Sequence, residues 1–173
     1  MTIKQILDVI PVVPFKGIDR FYDVNGLLNN IDEFKLAINM IIEHCSTIDF
    51  DMIGCIDARG FLFGPLIGVA LNKPIFMIRK NGKMPNCIVG DSYAKEDVED
   101  AEQLSISKDI IRDTRRRVIL IDDLVATGGT LISAANLVRY CGGEVVECVC
   151  VIELSELNAR SNLNIPLWSL ISV

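Results

Sequence analysis

The run Val118-Ile119-Leu120-Ile121-Asp122-Asp123-Leu124-Val125-Ala126-Thr127-Gly128-Gly129-Thr130 constrains this chain more than any other segment. Consecutive aliphatics without polar alternation predict a strand covered on both faces, as in parallel sheets. The two carboxylates mark its carboxyl end. A short loop of small residues with two glycines follows, and Thr130 opens an amphipathic stretch, Leu131 to Tyr140, that predicts a helix. Backbone N–H groups of such a loop converge at a helix N-terminus, where the dipole favours an anion. Acids beside an anion site make sense when the ligand carries hydroxyls as well as phosphate. Carboxylates accept hydrogen bonds from a ribose diol while the loop holds the 5′-phosphate. The segment therefore describes a grip for ribose 5-phosphate. An ordinary buried strand, turn and helix would account for the apolar pattern, but not for Asp-Asp and Thr-Gly-Gly-Thr in one register.

Composition sets the outer bounds. The 173 residues suffice for one domain with a full core, half of them are hydrophobic, and no segment is of low complexity. A net charge of −6 argues against a broad basic face for nucleic acid. The tight basic run Arg115 to Arg117 precedes the signature strand, away from the expected site, and reads as a solvated turn. No signal peptide and no apolar span of membrane length is seen, so a cytoplasmic protein without membrane contact is expected. The six cysteines lack Cys-x-x-Cys spacing, and the single histidine removes the usual zinc partner, so no metal site of the protein's own is visible. Cys148 and Cys150 share one face of a strand and read as small buried hydrophobes. His44 reads as a surface residue and Trp168 as an anchor for the last strand.

Along the chain, strands alternate with helices. Ile31 to Cys45 predicts an amphipathic helix with Ile31, Phe34, Ile38, Ile41 and Ile42 inward. Met52 to Asp57 reads as a strand, followed by Arg59-Gly60-Phe61 and a helix to about Leu71. Strands are also expected at Pro74 to Arg79, Arg117 to Asp122 and Glu144 to Ile152, the last after a Gly142-Gly143 helix stop. Ile165 to Ser172 reads as an edge strand. This alternation predicts an α/β fold, a mainly parallel twisted sheet flanked by helices, in one domain spanning 1–173. Ligands in such sheets sit at the carboxyl ends of strands, where Asp57, Arg79 and Asp122 fall. Residues 83–108 are polar, acid-rich and weakly alternating, and predict a flexible, two-stranded flap over the site.

The strand ends then acquire chemical roles. Ile56-Asp57-Ala58-Arg59-Gly60-Phe61 sets an arginine in a tight turn at a helix start, a cradle for pyrophosphate. Arg79-Lys80-Asn81-Gly82-Lys83 adds cations after the next strand. Loop solubility would explain Lys80 alone. Clustering at the predicted ligand edge of an acidic protein favours a pyrophosphate leaving group, whose charge grows as the glycosidic bond breaks.

The signature segment resembles that of the type I phosphoribosyltransferases, enzymes that join phosphoribosyl pyrophosphate to a base. Asp57-Ala58-Arg59-Gly60-Phe61-Leu62-Phe63-Gly64-Pro65 and Arg79-Lys80-Asn81-Gly82-Lys83-Met84-Pro85 are further similar to the adenine phosphoribosyltransferase branch. The likeness runs through Gly26-Leu27-Leu28 near the start and Gly143-Glu144 to Ile152-Glu153-Leu154 near the end, and covers essentially the whole chain. Ala126 fits too, since enzymes for hypoxanthine and guanine carry an aspartate at that loop position.

The resemblance implies a role for each segment. Ala126, Thr127, Gly128, Gly129 and Thr130 would hold the 5′-phosphate, and Asp122 and Asp123 the ribose hydroxyls. Asp57, Ala58, Arg59, Arg79, Lys80 and Lys83 would handle pyrophosphate, with Mg²⁺ carried in on the substrate. The Asp57–Ala58 peptide lies where the family often has a cis bond. Residues 1–30 would form a hood over the base. Adenine enzymes carry Phe-Pro-x-x-Gly-Ile-x-Phe-Arg-Asp there, and this chain reads Val13-Pro14-Phe15-Lys16-Gly17-Ile18-Asp19-Arg20-Phe21-Tyr22-Asp23. With one extra residue after Gly17, Phe21 takes the stacking position, Tyr22 replaces the arginine, and Arg20, Phe21 and Tyr22 become the adenine contacts. In the flap the family has Ser-Tyr-x-Leu-Glu-Tyr-Gly against Ser92-Tyr93-Ala94-Lys95-Glu96-Asp97-Val98 here. Glu96 and Arg59 are thus the implied catalytic residues. From its neighbours alone, Glu96 is one member of a solvated acidic run.

The reaction implied is transfer of phosphoribosyl to N9 of adenine, giving AMP and pyrophosphate in purine salvage, by a homodimer acting on small molecules. Two alternatives stay open. One is transfer to another purine base. The other is a non-catalytic ligand-sensing protein on the same fold, favoured by the altered flap. A nucleotide-dependent phosphotransferase would need a Gly-x-x-x-x-Gly-Lys-Ser/Thr loop, which is absent from the sequence.

Overall fold

Helix α1 (Ile3–Asp8) is followed by a hairpin of β1 (Val12–Phe15) and β2 (Ile18–Tyr22). The short α2 (Asn25–Asn29) leads into α3 (Ile31–Ser46), then β3 (Met52–Ile56), α4 (Gly60–Leu71) and β4 (Ile75–Lys80). Next come β5 (Cys87–Val89), β6 (Tyr93–Lys95), β7 (Val98–Glu102) and β8 (Leu104–Ser107). The chain continues through β9 (Arg117–Val125), α5 (Gly129–Tyr140), β10 (Glu144–Glu153), α6 (Ala159–Asn162) and β11 (Leu167–Ser172). This computed structural model describes residues 2–91, 93–95, 98–111 and 115–173.

The main sheet runs β11-β10-β9-β3-β4-β8-β5, parallel from β11 to β4 and antiparallel at β8 and β5. Taken in chain order, its parallel strands lie 2-1-3-4-5, the doubly wound arrangement whose direction of growth reverses between β3 and β9. Strand β9 is central, and its aliphatic run serves both faces. Ile119 and Ile121 join a core with α1, α3 and α4, whereas Val118 and Leu120 join one with α5. The period-two alternation of a strand and helices on both faces explain why no polar residue interrupts the run. Cys148 and Cys150 are buried together in the α5-side core.

Several elements differ from the sequence reading. Strand β9 continues past the acid pair to Val125, paired with Glu153 of β10, so Asp122 and Asp123 lie inside the strand. Residues 83–108 do not form one excursion. Strands β5 and β8 extend the main sheet beyond β4, and the separate two-stranded ribbon is β6 with β7. Leu104 and Ile106 are the reason: both are fully buried, and the strand carrying them covers the β4 edge. His44 is half-buried. Its ring stacks on Trp168 at 4.2 Å with the planes 11° apart, and Nε2 lies 2.7 Å from Glu147 Oε2. The hood hairpin turns through Lys16 (φ 47°) and Gly17 (φ 82°), the two positive-φ positions that a tight two-residue hairpin loop needs.

Leu120→Ala is expected to destabilise the fold by about 2–5 kcal/mol through the void left in the α5-side core, read as a lower urea midpoint with an unchanged slope.

Candidate active site

The carboxyl ends of β3 and β9 lie side by side where the sheet reverses direction, and the residues that follow them line a cavity of about 520 Å³. One wall is the hood, with Lys16, Arg20, Phe21 and Tyr22. The opposite wall is the β3–α4 turn with Asp57, Ala58 and Arg59, joined by Lys80 from the end of β4. The floor is the stretch Asp122 to Thr130.

Close packing of α4 on β9 sets the geometry of this floor. A Cβ on Gly60 would stand 2.5 Å from the Ile121 carbonyl oxygen, so only glycine lets the helix start come down on the strand. Arg59, the residue before it, thereby reaches Asp123, with Nε 3.1 Å from Oδ2. Asp123 is 2% exposed, and this oxygen accepts no well-aligned hydrogen bond from any described residue. The Arg59 guanidinium also lies over the Phe21 ring, 5.7 Å from its centroid, tying hood to sheet. The Asp123 N–H donates to Asp122 Oδ1 at 2.9 Å. Burial pushes both carboxyls above the usual carboxylate range. At Asp122 the neighbouring Asp123 charge adds to desolvation, and at Asp123 the Arg59 guanidinium opposes it.

The loop beyond β9 presents backbone donors at the start of α5. Gly128 takes φ +87°, a left-handed conformation suited to glycine, and caps α5. Among the described residues, the N–H groups of Ala126 to Thr130 have no acceptor, as expected of a loop running into a helix start.

The structure therefore gathers Arg20, Phe21, Tyr22, Asp57, Ala58, Arg59, Lys80, Asp122, Asp123 and Ala126 to Thr130 around one space. It does not bring Arg79 and Lys83 to the cavity wall. Successive residues of β4 point to opposite faces, so Lys80 turns to the cavity and Arg79 to α4. There Arg79 covers the Phe61 ring, pairs with Asp57 (Nε to Oδ2 3.4 Å) and donates from Nη1 to the Lys83 carbonyl oxygen at 3.0 Å. Lys80 is held by Glu102 at 2.6 Å. Glu96 lies outside the described residues. The Asp57–Ala58 peptide is cis.

Sequence reasoning missed Leu124, Leu154 and Leu157 as apolar lining. Leu124 sits inside the signature, and the segment after β10 follows a strand parallel to β9, so both positions were open to the strand-end rule.

A doubly wound sheet with a glycine loop and an acid pair at its reversal point defines an α/β protein built to hold a phosphorylated pentose. Residues 24–163 match the phosphoribosyl transferase domain family. An adenine phosphoribosyltransferase from Agathobacter rectalis is 42% identical over 163 residues, covering 94% of this chain and 91% of its own. The structure of adenine phosphoribosyltransferase from Thermoanaerobacter pseudethanolicus superposes with a TM-score of 0.91 at 32% identity, covering 99% of this chain and 100% of that one. That from Trypanosoma brucei, in complex with AMP, pyrophosphate and ribose-5-phosphate, gives 0.87 at 28% identity, covering 98% and 78%. The chain belongs to the phosphoribosyltransferase family and, within it, to the adenine phosphoribosyltransferases.

A carboxyl whose pKa is raised on folding loses stability as pH rises from its unfolded value to its folded one, and the deficit persists above that. Asp122→Asn keeps the acceptor for the Asp123 N–H and removes the buried charge. Its melting temperature should exceed the parent's at pH 7, with the gap closing towards pH 4 in paired thermal melts.

Proposed function

We propose that the cavity binds phosphoribosyl pyrophosphate and adenine and transfers the 5-phosphoribosyl group to N9, releasing AMP and pyrophosphate in purine salvage. The observation that carries this reading is the joining of the N–H-lined loop Ala126 to Thr130, the acid pair Asp122–Asp123 and the hood ring of Phe21 around one cavity. The loop takes the 5′-phosphate, and the acids take the ribose hydroxyls and steady the positive charge that develops at C1′. Arg59 and Lys80 neutralise the departing pyrophosphate, which draws Arg59 from Asp123 and frees Oδ2 for a hydroxyl. The N9–C1′ bond forms on the face opposite the breaking C1′–O bond, with inversion. Phe21 offers the base a ring face. Tyr22 buries its side chain, its hydroxyl accepting from Arg20 Nη2 at 2.6 Å, so this position offers the base its backbone.

In this reading one domain, residues 1–173, carries a hood at 1–30 and a flap drawn from 83–108, with Glu96 managing a ring proton. The acidic cavity residues are Asp57, Asp122 and Asp123, and no described group of three His, Cys, Asp or Glu side chains forms a metal cage. Mg²⁺ carried in on the substrate would suit such a donor set and would neutralise pyrophosphate charge there. Among the described residues no helix is long and apolar enough to cross a membrane, which accords with a cytoplasmic setting. Leu62, Leu66 and Val69 recur on the exposed face of α4, beside exposed Ile75 and Met77 of β4, and a second copy of the chain would cover them as a homodimer. Arg79 and Lys83 would then act near that interface.

Product formation from phosphoribosyl pyrophosphate and Mg²⁺ with adenine, hypoxanthine, guanine and xanthine in parallel tests the reading. AMP from adenine alone is expected. Turnover of a different base would overturn the base assignment, and binding of phosphoribosyl pyrophosphate without turnover of any base would favour a ligand sensor. Glu96→Gln should lower kcat with substrate binding spared, and unchanged turnover would remove Glu96 from the chemistry.

A further inference from the structure

The peptide between Thr127 and Gly128 sits at the start of α5 in the glycine loop. Its orientation is set by ψ of Thr127 and φ of Gly128, and a glycine tolerates φ of either sign, so little at Gly128 itself opposes a reversal. The Thr127 carbonyl accepts one hydrogen bond among the described residues, from Asn162 Nδ2 at 3.2 Å. In a trans peptide the N–H points opposite to the C=O. Holding the carbonyl towards α6 therefore turns the Gly128 N–H away from α6, in a loop whose residues Ala126 to Thr130 line the cavity.

Helix α6 is itself anchored. Glu153, 3% exposed at the end of β10, accepts from Arg160 Nε at 2.8 Å and Nη2 at 2.7 Å, and from Ser169 Oγ at 2.7 Å. Arg160 Nη1 donates to the Leu167 carbonyl oxygen at 2.6 Å. A forked, charge-assisted contact of this kind fixes direction as well as distance. The same segment backs the loop by contact, since a Cβ on Gly128 would meet Leu163 Cγ at 3.4 Å and Ala159 Cβ at 3.5 Å.

We infer that Asn162 is a positioning residue for the 5′-phosphate: through the Thr127 carbonyl it keeps the Gly128 N–H turned towards the bound anion. This rests on the phosphoribosyl reading of the cavity. Asn162 is exposed and outside the cavity lining, so it acts only through the loop.

The test uses the full chain with Asn162→Ala and Asn162→Leu, both neutral and without a donor, and Asn162→Gln, which keeps an amide donor. Binding of ribose 5-phosphate by calorimetry, KM for each substrate, kcat and melting temperature are measured for all. Expected for the first two is a rise of about three- to tenfold in the ribose 5-phosphate Kd and the KM for phosphoribosyl pyrophosphate. The adenine KM, kcat and melting temperature should hold, and Asn162→Gln should recover part of the affinity. Unchanged ribose 5-phosphate binding, or a loss that follows melting temperature or kcat instead, would overturn the inference. If the parent binds ribose 5-phosphate but transfers to no base, the catalytic reading falls while the Kd comparison still decides Asn162. If the parent binds no ribose 5-phosphate, both fall.

Discussion

A carboxylate in a low-dielectric interior requires a cation close by, and the Arg59–Asp123 pair meets that requirement where β3 and β9 diverge. The pair exists because α4 begins against the β9 backbone, an approach that any side chain at position 60 would block. From this contact the rest of the site is laid out. Arg59 also lies over the Phe21 ring of the β1–β2 hairpin, while the same strand runs on into the glycine loop. Buried carboxyls raised above their normal ionisation range, and a buried oxygen without an aligned donor, are sources of instability in the free protein. Active sites accept such groups because the ligand completes them.

The site is also braced from outside the signature segment. Strand β10 ends in a buried glutamate whose arginine partner lies on α6, and α6 rests on the glycine loop that follows β9. The loop is consequently held on one flank by the sheet and on the other by a segment some thirty-five residues later in the chain. A glycine-rich loop left to itself would sample many backbone states, and the brace selects among them.

Against the adenine-enzyme motifs that the sequence resembles, the chain differs at Tyr22 and at Asp97-Val98, and the first difference has a visible physical accommodation. If Tyr22 stands where the adenine-enzyme motif has arginine, as the resemblance implies, a guanidinium still reaches that region, because Arg20 donates to the tyrosine hydroxyl and lines the cavity. Of the segment 83–108, β5 and β8 extend the main sheet, whereas β6 and β7 pair as a separate ribbon whose Glu102 holds Lys80 of β4.

Much of this protein was legible in its residues. The uninterrupted aliphatic run of 118–121 required a strand covered twice, and a strand covered twice required helices on both faces of a parallel sheet. The acids, glycines and threonines after it fitted the ribose 5-phosphate grip that we propose for the cavity. These are local facts, governed by side-chain period and backbone freedom, and they survive being read one segment at a time. What tertiary structure alone decided are pairings between distant segments: Gly60 against Ile121, Arg59 against Asp123, Asn162 against Thr127, His44 against Trp168 and Glu147. It also decided that Arg79 faces α4 while Lys80 faces the cavity, and that Leu104 and Ile106 place part of a polar stretch in the main sheet. Strand period says only that neighbours such as Arg79 and Lys80 face apart, not which of them meets the cavity, and the pairings between distant segments follow from neither period nor propensity. Each depends on the distance between two backbones, and that distance is set by how the whole core packs.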